Sequence, residues 1–214
     1  MGSQKLYCVR LSAIGFPGII MLQTLSKPLT LEAFLALPDT KPASEFIDGQ
    51  IFQKPMPQGQ HSRLQQKLMT AINHFSEDDR IALALPELRC TFGGRSTVPD
   101  IAVFTWDCLP TDANGTIANL FNAHPDWVIE ILSPDQSMTR VTRNILHALE
   151  HGTQMGWQID PQEEAVFVYR PTLQGNQTQT QMFEHSSDRL PVPEFVQDFN
   201  LTVGKLFGWL KVIS

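Results

Sequence analysis

Three acidic side chains occupy positions where a carboxylate is seldom idle. Glu130 lies in the otherwise apolar run Trp127-Val128-Ile129-Glu130-Ile131-Leu132, which reads as a buried strand stopped by Ser133-Pro134. Burying that charge alone would cost on the order of several kcal/mol, so it calls for a cationic partner or a metal. Asp100 follows Pro99 within a strand read over 97–106, and proline in a strand marks an edge or a bulge. Glu45 opens a segment, 44–55, that reads as two strands around Asp48-Gly49, a strong short hairpin signal. Acids on adjacent strands suit a hard divalent cation, which can activate water and stabilise charge on a phosphate. The alternative for each acid is an arginine partner or solvent.

A second group lies on a helix read over 137–151 and closed by Gly152. Arg140, Arg143, His147 and His151 recur at helical spacing and form a basic stripe suited to a phosphodiester backbone, or simply a solvated face near the helix C-terminus. Val141, Ile145, Ala148 and Leu149 fall on another face, for packing on a sheet. His147, Glu150 and His151 also match the H-x-x-E-H pattern of inverted zinc peptidases, in which two histidines share a zinc and the glutamate is the base. A third protein ligand would then have to come from downstream, where Glu163, Glu164, Glu184 and Glu194 are available. His61 opens another amphipathic helix, 61–76, with Leu64, Leu68, Ile72 and Phe75 at helical spacing.

The elements that must position these groups follow from pattern and punctuation. Thr30 caps a short helix over 31–37 that Pro38 ends. Short strands are expected at 81–85, 87–92, 97–106, 127–132, 157–160, 165–169 and 177–184, and a last helix at 202–210. Residues 107–126 read as a polar insertion. Most strands neighbour one another in sequence, which predicts an α/β (α+β) domain with a central mixed sheet flanked by helices. Residues 1–28, apolar but broken by Gly15, Pro17 and Gly18, read as a leader or arm, and 29–214 as one domain.

Composition narrows the classes. The chain has 214 residues, 42% of them hydrophobic, and a formal net charge of −6, so a compact core is available and bulk positive charge is not. No stretch reaches the roughly 18 apolar residues of a membrane span. Cys8, Cys90 and Cys108 make an odd count without a CxxC pair, which fits a reducing, cytoplasmic setting rather than a disulfide framework. No P-loop, G-x-G-x-x-G or G-x-S-x-G elbow occurs, so NTPase, dinucleotide and serine hydrolase readings lack support.

Glu45-Phe46-Ile47-Asp48-Gly49, Pro57 before His61, Val98-Pro99-Asp100, Glu130-Ile131-Leu132-Ser133-Pro134 and Gly152…Trp157-Gln158-Ile159-Asp160 occur in order. Together they resemble the Uma-two-type endonucleases, a family widespread in cyanobacteria with a PD-(D/E)xK restriction-endonuclease-like fold. The resemblance spans most of 29–210. It implies a nuclease that hydrolyses DNA with Mg²⁺ or Mn²⁺ and forms a homodimer. Asp100 and Glu130 would be the principal metal ligands, joined by Glu45 and the Ile131 carbonyl. His61, Arg140, Arg143 and His147 would contact nucleic acid.

One position departs from the family pattern. D/E-x-K predicts lysine at 132, where Leu132 stands, and relatives that carry it on the next helix would place it at Asn144. No lysine occurs between Lys67 and Lys205. The role then falls to Arg140 or Arg143, to Lys54 or Lys67, or to nothing. The last case would make the chain a binding module for nucleic acid or protein rather than an enzyme.

Overall fold

The computed structural model describes residues 29–134, 136–172 and 177–212, so the leader read over 1–28 lies outside the described residues. In chain order the elements are α1 (Leu31–Leu35), β1 (Ser44–Ile47), β2 (Gln50–Gln53), α2 (Gly59–Ser76), β3 (Ala82–Pro86), β4 (Cys90–Phe92) and β5 (Arg95–Thr97). Then follow β6 (Ile101–Thr105), β7 (Trp127–Ile131), α3 (Met138–Glu150), β8 (Met155–Asp160), β9 (Ala165–Pro171), β10 (Thr178–Phe183) and α4 (Val203–Gly208). Among the described residues no helix is long and apolar enough to cross a membrane.

The strands form two sheets, where the sequence pattern predicts one. The larger has the order β10-β9-β8-β7-β6-β3, and the smaller β2-β1-β5-β4. Among the strands of the described residues, β7 and β8 alone form a parallel pair, joined by the crossover through α3. The other pairs of the larger sheet are antiparallel, so it is mixed, as expected.

The strand read over 97–106 is where pattern and structure differ most. It is two strands in different sheets, β5 and β6, separated by Val98-Pro99-Asp100. Pro99 has no N–H to give a ladder. Just before it, the Val98 N–H donates to Glu45 and the Val98 carbonyl accepts from Lys54, so side chains replace strand partners. Similarly, the strand read over 87–92 shortens to β4, and the Glu87 N–H donates to the Asp100 carbonyl.

Alternation along the strands sorts the core. Trp127, Ile129 and Ile131 of β7, with Ile101 and Val103 of β6, pack with Leu64, Leu68 and Ile72 of α2 and Leu206 and Phe207 of α4. Val128 and Leu132 face the other way, onto Val141, Ile145, Ala148 and Leu149 of α3. Fully burying each such side chain stabilises the fold by about 1.5–3 kcal/mol relative to exposure. Glu130 shares the α3-facing side with Val128, because strand side chains alternate with period two. It is an acid in an apolar seam.

The crossover helix sits close to the sheet because Gly156 of β8 has no side chain. An added Cβ would run into Ile145 Cγ2 and lie 3.4 Å from Val128 Cγ1. Gly156→Ala is therefore expected to lift α3 from the sheet and destabilise the protein by about 1–3 kcal/mol, the usual cost of overpacking. Urea unfolding measures it, and an unchanged midpoint would contradict this packing.

Candidate active site

The hairpin β1–β2, the break before β6 and the end of β7 converge on one cluster. The ladder between β6 and β7 pairs Ile101 with Ile129, so one step beyond it Asp100 and Glu130 stand opposite each other. The hairpin pairs Glu45 with Phe52, and the Lys54 N–H continues that ladder to the Ala43 carbonyl. Period-two alternation thus puts Glu45, Phe52 and Lys54 on one face of the hairpin.

Lys54 is the centre of the cluster. Its ammonium donates to Asp100 Oδ1 at 2.6 Å, to the Val98 carbonyl at 2.7 Å and, more weakly, to Glu130 Oε2 at 3.5 Å. Those three acceptors use its three protons. The side chains of Lys54, Asp100 and Glu130 are only 13%, 2% and 4% exposed, so these charges act through little screening water.

Asp100 is well satisfied. Its Oδ2 accepts from the Ile131 N–H at 2.7 Å and meets His61 Nε2 at 3.1 Å. Glu45 accepts from the Val98 N–H at 2.9 Å and, at 3.4 Å, from Asn144 Nδ2. Glu130 is the poorly served acid, with only the long contact to Lys54 among the described residues.

Titration follows these partners. Burial opposes the Asp100 charge, but Lys54 and His61 outweigh it and hold the carboxyl well below the usual carboxylate range. Burial raises Glu130 well above that range, helped by the charges of Asp100 and Glu45 and only partly countered by Lys54. Glu45 is raised, by burial first. For Lys54 burial would lower the ammonium, yet Glu130, Asp100 and Glu45 overcome it and keep it above its ordinary value. Cys90 is pushed up to about 12 by burial and by Glu130, which makes it an inert buried thiol.

Two spaces adjoin the cluster. A cleft of about 1230 Å³ has Lys54, His61 and Asp100 in its lining, with apolar walls that include Phe34, Ile51, Met56 and Leu120. A small cavity of about 20 Å³ lies among Glu45, Lys54, Glu130, Arg140 and Asn144. It has room for about one water or a comparable ion. Among the described residues Asn144 Oδ1 is buried without a hydrogen-bond partner there, and three acids face one lysine, so the oxygens present suit a hard cation. The three carboxylates do not yet close into a chelating set: among the described residues only His147, Glu150 and His151 bring a ligand atom each within 4.8 Å of one another.

The residues singled out in the sequence separate into three groups. Glu45, Asp100, Glu130, His61 and Asn144 come together, and Ile131 joins them through its N–H. Arg140 borders the small cavity, its guanidinium 4.4 Å from the centre of the Phe52 ring, while Arg143 is exposed on the same helix. His147 departs from the basic stripe that spacing offers either to a phosphodiester backbone or to solvent. It is buried, stacked 5.2 Å from Phe92, with Nε2 3.3 Å from the Phe92 carbonyl, and burial lowers its pKa. The residue that sequence reasoning left among several options is Lys54, and hairpin alternation with Glu45 was the signal for it. Gln65, whose amide donates to the Asp100 carbonyl at 2.8 Å, carried no signal.

A mixed sheet with an aspartate and a glutamate facing each other at the end of adjacent strands, and a lysine between them, defines a nuclease-like α/β protein. The family model described as "Putative restriction endonuclease", Uma2, matches residues 31–204, and the chain belongs to that family. It is similar to a crystal structure of a "putative nuclease belonging to DUF820" from Anabaena variabilis, with 55% sequence identity and a TM-score of 0.82 over 86% of this chain and 100% of that one. No curated protein matches the chain.

The raised Glu130 carboxyl gives a pH signature. Without metal, the native state keeps a proton on Glu130 that the unfolded chain has released above its ordinary value of 4.5, so this group makes stability fall as pH rises through that window. Asp100 has the opposite sign: its contribution is present above 3.8 and is lost as pH falls through its depressed value. Glu130→Gln is expected to flatten the decline between pH 5 and 8, by up to about 1.4 kcal/mol per pH unit. Urea midpoints in chelator across that range test it. Parallel profiles for variant and parent would refute the assignment.

Proposed function

We propose that the chain is a divalent-metal-dependent endonuclease that hydrolyses DNA phosphodiester bonds, with Lys54 in the role of the lysine missing at position 132. The observation that carries this reading is the Lys54 ammonium at 2.6 Å from Asp100 and 3.5 Å from Glu130, beside a cation-sized cavity. Asp100 and Glu130 would hold Mg²⁺ or Mn²⁺, with Glu45 and the Ile131 carbonyl completing the oxygen set. Such an ion supplies an activated water and neutralises charge on the phosphate.

The chain's own residues do the rest. Because its neighbours keep Lys54 protonated, its contribution is electrostatic, opposing negative charge that builds on the phosphoryl oxygens rather than removing a proton. His61 and the Ile131 N–H hold Asp100 ionised and oriented. Asn144 steadies Glu45. Arg140, at the edge of the small cavity, and the exposed Arg143 supply guanidinium groups for the backbone of the nucleic acid. The alternative, a catalytically inactive binding module, rests on the missing lysine and on the acidic charge balance, and Lys54 beside the acids speaks to the first of these.

Asp100→Asn and Glu130→Gln should each abolish Mn²⁺-dependent cleavage of plasmid DNA while the proteins stay folded by circular dichroism. Lys54→Met should cut the single-turnover rate by about 10²-fold or more, the scale of losing one preorganised charge donor, with DNA affinity little changed. Undiminished cleavage by Lys54→Met would remove the lysine from the mechanism. Cleavage that survives both acid substitutions would remove the metal site. Replacing Arg140 and Arg143 together by alanine should weaken DNA binding uniformly across sequences and make its salt slope shallower by roughly one to two units. An unaltered slope would exclude the helix from the interface.

A further inference from the structure

The nuclease reading leaves His147, Glu150 and His151 without a task. Positions i, i+3 and i+4 share one face of a helix, here the last turn of α3. One ligand atom of each residue lies within 4.8 Å of the other two, and no further His, Cys, Asp or Glu among the described residues joins them.

Each imidazole already has one nitrogen committed to a backbone carbonyl. His147 Nε2 is 3.3 Å from the Phe92 carbonyl, and His151 Nδ1 is 2.8 Å from the His147 carbonyl. A carbonyl only accepts, so those nitrogens carry the protons. Nδ1 of His147 and Nε2 of His151 are left with their lone pairs. This is the support that metal-bound histidines ordinarily have, an outer hydrogen bond fixing tautomer and ring orientation. The ring planes are held as well: His147 stacks on Phe92, and the two imidazole centroids are 4.2 Å apart.

Gly93, in the turn between β4 and β5, completes the seat. A Cβ there would run into His151 Nε2 and lie 2.5 and 2.6 Å from Cε1 and Cδ2. Such nearly equal distances place Gly93 over the ring face and not along the in-plane lone pair of Nε2. Arg95, the cation that bears on His147, is engaged by both oxygens of Asp48.

We propose that His147, Glu150 and His151 form a second metal site, for a zinc-class transition ion, at the C-terminal end of α3 beside the turn between β4 and β5. Two imidazoles and one carboxylate suit Zn²⁺ and disfavour Mg²⁺. Ligands about 2.0–2.2 Å from a tetrahedral ion stand about 3.4 Å apart, a separation that side-chain adjustment at the exposed Glu150 and His151 can reach. Exposed Glu150 is itself a ligand here, so it is not free to be the base that a zinc peptidase requires, and the site is structural. It is independent of the nuclease site.

Isothermal titration of the full chain with ZnCl₂ in excess Mg²⁺ tests the site, with Co²⁺ absorption reporting imidazole ligation. One equivalent of Zn²⁺ should bind to the wild type and to Asp100→Asn and Glu130→Gln. His151→Ala and Glu150→Gln, both at exposed positions, should weaken it by at least about tenfold. No zinc binding, zinc binding unaffected by His151→Ala, or binding lost in the Asp100 and Glu130 variants instead would each overturn the proposal.

Discussion

A single buried ammonium organises this protein. Glu45, Asp100 and Glu130 come from three separate elements and are all nearly out of water, an arrangement that mutual repulsion would scatter. Lys54 reaches between Asp100 and Glu130 and also takes the Val98 carbonyl. Through that carbonyl it holds the segment at which the chain leaves the small sheet and enters the large one. The charge cluster and the junction of the two sheets are therefore one structure.

The compensation is incomplete, and the incompleteness is informative. Asp100 collects donors from Lys54, His61 and the Ile131 amide and is held ionised, whereas Glu130 has one long contact and is pushed toward its neutral form. A purely structural network would gain stability by serving both acids alike or by replacing them with apolar groups. Retaining one under-served carboxylate beside a small cavity leaves a place for positive charge. The surrounding frame, with Ile145 seated over Gly156 and α2 covering the opposite face, keeps that unfavourable centre in place.

Under the proposed nuclease reading, the ammonium beside the acids comes from the hairpin rather than from position 132. Position 132 is Leu132, packed with Val128 and Val141 under α3. The hairpin brings Lys54 to the acids instead. Electrostatics depends on where a charge sits in space, and a strand end or a hairpin end can deliver it to the same point.

How much of this was legible in the sequence depended on range. The Asp48-Gly49 hairpin, the Leu64, Leu68 and Ile72 stripe, the Thr30 cap and the isolated Glu130 among apolar neighbours are local signals, and each element formed where they indicated, within a few residues. Asp100, Glu130 and Glu45 could be named because a carboxylate in an apolar or proline-marked strand is conspicuous by itself. The two-sheet division, the break at Val98-Pro99-Asp100, the burial of His147 against Phe92 and the choice of Lys54 over the arginines were tertiary decisions. They turn on contacts between residues 30 to 100 positions apart, such as Lys54 with Glu130 and Asn144 with Glu45. Period and propensity report only on neighbours along the chain; which distant groups share a dry pocket is settled by packing, because only there does the cost of an unpaired charge select its partner.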